Sequence, residues 1–311
     1  MATRSTLRHA QGPERSRGPA ASLFVSLRPD QWTKNLIVFA ALIFAVRLLD
    51  PAALANATAA FLIFCALSGA VYLINDVADR EQDRQHPIKR TRPVASGDLA
   101  PATALTIAVV LGAAAVAAAF ALRPMFGVAA VSYVALFVVY TRSLKHIVVL
   151  DVMTIAAGFV LRAVAGGLVI DVHISNWLLV CTMLGALFLG LAKRRHEITL
   201  LAAGAGGHRK ILEEYDPYLL DQMIGVVAAA TMVAYIIYCA SPETHTYFGT
   251  EWMVLTTPFP VYGLFRYLYL VHRKAGGGSP SDMLLEDRPL LACVLLWGVT
   301  AIAIIYRPFG S

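Results

Sequence analysis

Long apolar runs separated by short polar stretches dominate the chain. The runs fall at about 32–49, 52–75, 101–122, 124–141, 146–170, 174–193, 218–241, 251–272 and 289–307. Each is close to the ~20 residues that carry an α-helix across a bilayer. The pattern therefore predicts nine transmembrane helices and an all-α integral membrane protein. Residues 1–20 lack any apolar core and scatter Arg4, Arg8, Arg15 and Arg17 among Ser, Gly, Pro and Gln. They read as a disordered basic tail rather than a cleavable signal.

The polar stretches are not equivalent. With the N-terminus inside, 21 of the 26 Lys and Arg residues face the cytoplasm, and the long loops 76–100, 194–217 and 273–288 fall on that side. That is the positive-inside pattern. Composition agrees: 58% hydrophobic residues, 15% charged residues and a mean hydropathy of +0.64 describe a multispanning membrane protein. A net charge of +6 is confined to one membrane face, so it gives no reason to expect a nucleic-acid partner. Cys65, Cys181, Cys239 and Cys293 all lie inside apolar runs without C-x-x-C spacing and read as small core residues.

The densest chemistry follows the second run, from Asn75 to Pro93. On a continuing helix Asn75, Asp76, Asp79 and Asp83 fall within an arc of about 100°, while Glu81 points away. The residue before Pro87 is pushed out of the α region, so the three aspartates approach a helix C-terminus, where the macrodipole opposes negative charge. Hard oxygen donors crowded in this way suit Mg²⁺ carrying a polyphosphate. On this reading, neutralising one carboxylate relieves repulsion and raises stability when Mg²⁺ is absent. The bland alternative is a solvated acidic helix end paired with Arg80, Arg84, Lys89, Arg90 and Arg92.

Further polar groups gather at the same interface. Arg28-Pro29-Asp30-Gln31-Trp32-Thr33-Lys34-Asn35 opens the first run, and Tyr140, Arg142 and Lys145 close the fourth. Each set alone reads as an interfacial anchor. Asp151 and Arg162 are intramembrane charges eleven residues apart on one helix face, about 16 Å along the axis, and such groups are paired or functional. Asp151 lies near the cytoplasmic end. For Arg162 a structural bond to backbone carbonyls and a ligand role stand equal. Gly158 and Gly166 extend that face and predict close helix packing. The sixth run ends in Lys193-Arg194-Arg195-His196-Glu197, either a topological stop or a phosphate-binding cluster whose Glu197 joins a metal or orients a base. Asp282 and Asp287, after the glycine run 276–278, read as solvated loop residues with a lid role as the alternative.

The N-D-x-x-D-x-x-x-D stretch from Asn75 resembles the first aspartate motif of the UbiA-type intramembrane prenyltransferases. R-P-x-Q-W-x-K-N from Arg28, H-P-x-K-R-x-R-P from His86, the Tyr140 to Lys145 turn, Arg162-Ala163-x-Ala165-Gly166-Gly167 and K-R-x-x-E from Lys193 are similar to its decaprenyl-phosphate phosphoribosyltransferase branch. The resemblance covers about residues 22 to 308. It implies one UbiA-type domain over 21–308, a nine-helix bundle with a cytoplasm-facing active-site cavity, and a place in the bacterial inner membrane and in cell-envelope biosynthesis. It also implies an Mg²⁺-dependent transfer of phosphoribose from phosphoribosyl diphosphate (PRPP) to a polyprenyl phosphate, with diphosphate released. Asp76, Asp79 and Asp83 would be catalytic and, with Asn75 and Glu197, hold the metal. Lys34, Lys89, Arg90, Arg92, Tyr140, Lys145, Arg162, Lys193 and Arg194 would bind substrate. A homo-oligomer is left open. Two departures stand out. Lys193 and Arg194 occupy the place of the second acidic motif of aromatic prenyltransferases, the alternative activity of this fold, and Pro280-Ser281-Asp282 stands where P-E-D is expected.

Overall fold

The computed structural model describes residues 18–86, 89–202, 210–273 and 280–306. Those residues are helical, with no strand among them. Residues 1–17 of the tail, the glycine run 276–278 and Arg307 lie outside the described residues. A short helix α1 (Pro19–Ser26) starts inside the stretch read as a tail.

Seven helices are long and apolar enough to cross a bilayer: α3 (Pro51–Ala78), α6 (Pro101–Leu122), α7 (Pro124–Arg142), α8 (Leu150–Ile170), α9 (Asn176–Ala202), α10 (Pro217–Ala240) and α14 (Arg288–Ile305). Proline at N1 starts α3, α6, α7 and α10, where its missing N–H costs nothing. Asp50 caps α3 by accepting from the Ala52 and Ala53 amides.

The other two runs are not single helices. The first is an 11-residue 3-10 helix (Pro29–Phe39) followed by α2 (Ala40–Phe44). A 3-10 helix rises about 2.0 Å per residue, so this segment covers about 22 Å where an α-helix would cover about 16 Å. Its polar residues explain the departure. Asn35 is fully buried and donates to Cys65 and Ser68 on α3, which ties the segment to its neighbour rather than to lipid. The eighth run is a short 3-10 turn (Trp252–Thr256) and the 16-residue α12 (Pro258–Arg273). Four short helices complete the order: α4 (Arg80–Gln85), α5 (Pro93–Ser96), α11 (Pro242–Phe248) and α13 (Pro280–Glu286).

Two apolar cores result. One joins α2, α3, α7 and α8 around Phe64, Phe126 and Tyr133. The other joins α9, α10, α12 and α14 around Phe188, Leu220 and Tyr267. Helix α8 contributes to both, to the second through Val152, and its glycines make the contact with the first. A Cβ on Gly166 would stand 2.1 Å from the Val38 carbonyl oxygen, and one on Gly158 would stand 2.6 Å from the Phe137 ring. The expected close packing is thus found, against the 3-10 segment and α7. Asp287 corrects the reading of a solvated loop residue. It caps α14 through the Leu290 amide and takes both Nε and Nη2 of Arg266.

Candidate active site at the end of α3

Helix α3 does not run unbroken to His86. Asp79 interrupts it, with φ −94° and ψ 5°, yet its amide still bonds the Asn75 carbonyl and its carbonyl accepts from Asp83. Asp76, Asp79 and Asp83 therefore keep a common face and are 2%, 8% and 4% exposed. Arg80 and Arg84 point elsewhere, bonding the Val94 and Ala95 carbonyls and so fastening α5 beneath the motif.

Buried carboxylates need partners, and here each has one. Arg28 binds Asp76. Arg92 bridges Asp76 and Asp83 at 3.2 and 2.6 Å. Lys145 reaches Asp79 at 2.5 Å. Three carboxylates thus meet three cations from three distant segments. Arg28 is the most telling, because it sits in the left-handed region (φ 52°, ψ 64°) that a non-glycine residue occupies at a cost of about 1–2 kcal/mol. Strain of this kind persists where the surroundings impose it, commonly at functional sites.

Behind this cluster lies a second buried network. Arg194 on α9 donates to Asp151 on α8 at 2.8 Å and to Glu197 one turn on at 2.6 Å. The Tyr215 hydroxyl donates to Asp151 at 2.7 Å and accepts from the Val149 amide at 2.7 Å. Val149 is itself strained, at φ 68°, so Tyr215 holds the turn that delivers Asp151. Burial, followed by the adjacent Asp151 carboxylate, pushes the Tyr215 phenol up, so it remains a donor.

Arg162 forms a third node. It donates to Asn35 at 2.8 Å and to the Tyr133 hydroxyl at 2.6 Å, with its guanidinium over the Tyr133 ring. This is a structural bond, though to side chains and not to the backbone carbonyls expected.

The structure brings together most of the residues singled out from sequence. Lys34 is half-buried within electrostatic reach of Lys193, Arg162 and Arg28. Arg194 feels Tyr140, and His86 feels Lys89 and Glu197. The ends of α3, α7 and α9 thus converge on one face. Lys89 is half-buried and Arg90 exposed at its rim. Glu197 has no described contact with the aspartates, and its carboxylate engages Arg194 instead. Sequence reasoning missed Arg28 and Tyr215 as site residues. Arg28 lay inside a quoted motif, whereas a loop tyrosine carries no signal of periodicity or spacing.

Among the described residues no three His, Cys, Asp or Glu side chains are grouped so as to hold a metal ion. The donors nevertheless fit a hard divalent cation. They are all oxygens, and the buried Asn75 Oδ1 beside Asp76 has no hydrogen-bond partner.

Comparison with known proteins agrees with this arrangement. The model of the UbiA prenyltransferase family matches residues 36–285. Decaprenyl-phosphate phosphoribosyltransferase of Mycobacterium tuberculosis is 35% identical over 286 residues, which cover 90% of this chain and 93% of that protein. The enzyme of the same name from Corynebacterium glutamicum is 33% identical, covering 92% of this chain and 87% of its own. Among solved structures, a UbiA homolog from Archaeoglobus fulgidus bound to DMAPP and Mg²⁺ superposes with a TM-score of 0.69 at 18% identity, covering 92% and 99% of the two chains.

Proposed function

We propose, from the premise that the chain belongs to the UbiA prenyltransferase family, that it is a multi-pass membrane phosphoribosyltransferase. It moves the phosphoribosyl group of PRPP onto a polyprenyl phosphate of decaprenyl type and releases diphosphate. The carrying observation is the set of basic side chains gathered around the three carboxylates. Arg28, Arg92 and Lys145 meet the aspartates, and Lys34 and Lys193 stand in the same neighbourhood. A site that must seat a diphosphate, a ribose 5-phosphate and a lipid phosphate calls for many basic side chains, whereas an isoprenyl diphosphate with a neutral aromatic acceptor calls for fewer.

In the reaction the bond from ribose C1 to the diphosphate oxygen breaks and a bond from C1 to a lipid phosphate oxygen forms. The nucleophile is already anionic, so positioning matters more than a general base. Asp76, Asp79, Asp83 and Asn75 would hold Mg²⁺, which when bound neutralises charge on the departing diphosphate. Arg28, Arg92 and Lys145 then turn from carboxylate to phosphate oxygens, since a charged donor serves either acceptor. Lys34, Lys89, Arg90 and Lys193 line the path of the phosphates. Arg194, held between Asp151 and Glu197, fixes the end of α9 that presents Lys193, and Tyr140 packs beside it. Arg162 locks the 3-10 segment that carries Arg28 and Lys34.

We take the crossings to number nine, with the two segmented runs as the additional pair. The site then faces the cytoplasm of a bacterial inner membrane, as the lysine and arginine bias of the loops supports. The test is incubation of the purified protein in detergent with radiolabelled PRPP, Mg²⁺ and decaprenyl phosphate. Label passing into organic solvent supports the assignment. Label transfer only from an isoprenyl diphosphate to an aromatic acceptor overturns it.

A further inference from the structure

Helix α1 is turned inside out. Its two serines face the protein, Ser22 at 0% and Ser26 at 1% exposed, and the Ser26 hydroxyl donates to the Ser22 carbonyl at 2.9 Å. Its outer face is apolar: Ala20 and Ala21 are exposed, as are Phe24 at 59% and Val25 at 41%. On the helix these four fall within an arc of about 140° opposite the serines. A surface helix in water carries the reverse pattern, with its apolar stripe toward the core. The medium outside this face is therefore apolar.

The height of α1 in the bilayer follows from what holds it. Leu23 and Leu27 pack against a cluster that includes Leu73 on α3, Val94 on α5, and Ala104 and Ala108 on α6. Leu27 also lies over Gly69 of α3, where an added Cβ would meet its Cδ2 at 2.8 Å. Ala104 and Ala108 stand about 5 and 11 Å from the start of α6, and the headgroup layer is about 5–8 Å thick. Helix α1 thus lies where headgroups meet acyl chains, on the same side of the membrane as the aspartates. Charge selects the lipid. The sequence before Gly18 carries Arg4, Arg8, Arg15 and Arg17 against one acid, Glu14. Basic residues at this height are drawn to an anionic leaflet. The helix also runs directly into the site. The Arg28 amide donates to the Val25 carbonyl at 3.1 Å, and Arg28 is the left-handed residue that binds Asp76.

We infer that the outer face of α1 docks on the anionic lipid of the leaflet bordering the site. Phe24 and Val25 enter the acyl chains, and the arginines before the helix meet the phosphates. The bilayer thereby steadies the turn that presents Arg28. The inference is independent of the reaction proposed above.

The test uses the full chain, one copy per nanodisc, in phosphatidylcholine with or without phosphatidylglycerol. The readout is hydrogen–deuterium exchange of the amides from Ser22 to Arg28. Exchange should be slower by about tenfold or more when phosphatidylglycerol is present. Replacing both Arg15→Gln and Arg17→Gln should speed it about ten- to thirtyfold in phosphatidylglycerol and leave it unchanged in phosphatidylcholine. Phe24→Ser, on the exposed face, should speed it at least about tenfold in both lipids. Equal exchange of the unaltered chain in the two lipids overturns the inference, as does wild-type exchange in Phe24→Ser. Protection that arises only when two copies share a nanodisc also overturns it and assigns the face to a second copy of the chain.

Discussion

Lys145, in the turn after α7, ends 2.5 Å from the Asp79 carboxylate at the end of α3, and both side chains are almost fully buried. This pair changes what neutralising the motif should do. From sequence, three crowded aspartates repel, and removing one charge relieves the helix end. In the structure each aspartate already has a cation, and removing one partner of a buried pair leaves the other uncompensated. Asp79→Asn and Asp83→Asn should therefore lower the melting temperature in EDTA by the equivalent of about 1–3 kcal/mol. Both should also nearly abolish turnover. Thermal unfolding without divalent cations decides the sign, and a rise in melting temperature would restore the repulsion view.

How far the sequence anticipated this follows from where each signal lay. Seven apolar runs became single helices because length and hydropathy act locally. The first run did not, because Asn35 reshapes it through contacts with α3 and α8 that no local pattern encodes. The aspartates were readable because helical spacing puts them on one face. Their partners were not, since Arg28 and Asp76 stand 48 residues apart and Lys145 and Asp79 stand 66 apart. Asp287 read as solvated because its partner Arg266 lies across a loop on another helix.

Tyr215 joins a strained turn to a buried charge. Its hydroxyl bonds the amide of Val149, at φ 68°, and the Asp151 carboxylate. Tyr215→Phe removes both bonds at once, leaving the Val149 amide without this acceptor and the buried Asp151 with Arg194 alone. The expected outcome is a loss of about 1–3 kcal/mol in stability, with kcat reduced and the KM for PRPP little changed, because Tyr215 acts through Asp151 and Arg194. A raised KM at unchanged melting temperature would count against this positioning role.

Gly166 reports on the approach of the first segment to α8. An added Cβ would stand 2.1 Å from the Val38 carbonyl oxygen, a backbone atom that cannot swing aside. Gly166→Ala should cost about 1–3 kcal/mol through overpacking and should displace the segment bearing Arg28 and Lys34. Lower yield of folded protein together with lower activity is expected. Gly185→Ala, where the space is open, is the control and should match wild type in both.

Arg162 offers a coupling measurement. Its bond to Asn35 joins α8 to the 3-10 segment, and its bond to Tyr133 joins α8 to α7. If this node is a tie between elements, Asn35→Ala and Arg162→Met should be non-additive, with an interaction free energy of about 0.5–3 kcal/mol in a double-mutant cycle. Strict additivity, with the KM for PRPP raised by Arg162→Met alone, would instead favour direct contact with substrate.

Lys193 and Arg194 are neighbours with the same formal charge, and the structure gives them different surroundings. From sequence both read as phosphate ligands. Arg194 is 3% exposed and donates to Asp151 on one side and Glu197 on the other, so its guanidinium is committed within the protein. Lys193 lies within electrostatic reach of Lys34, on the side of the 3-10 segment. A charged contact to phosphate contributes about 1.5–3 kcal/mol. Lys193→Ala should therefore raise the KM for PRPP or for the lipid phosphate about ten- to a hundredfold while the melting temperature holds. Arg194→Ala should instead lower the melting temperature sharply, because Asp151 would be left buried and uncompensated. Arg194→Lys should not restore it, since a single ammonium cannot reproduce a fork that reaches two carboxylates at once. Glu197→Gln should weaken Arg194's hold and lower kcat without altering the Mg²⁺ concentration needed for half-maximal rate. A shift in that concentration would return Glu197 to the metal site. Equal KM effects from both alanine variants at wild-type melting temperature would return Arg194 to the phosphates.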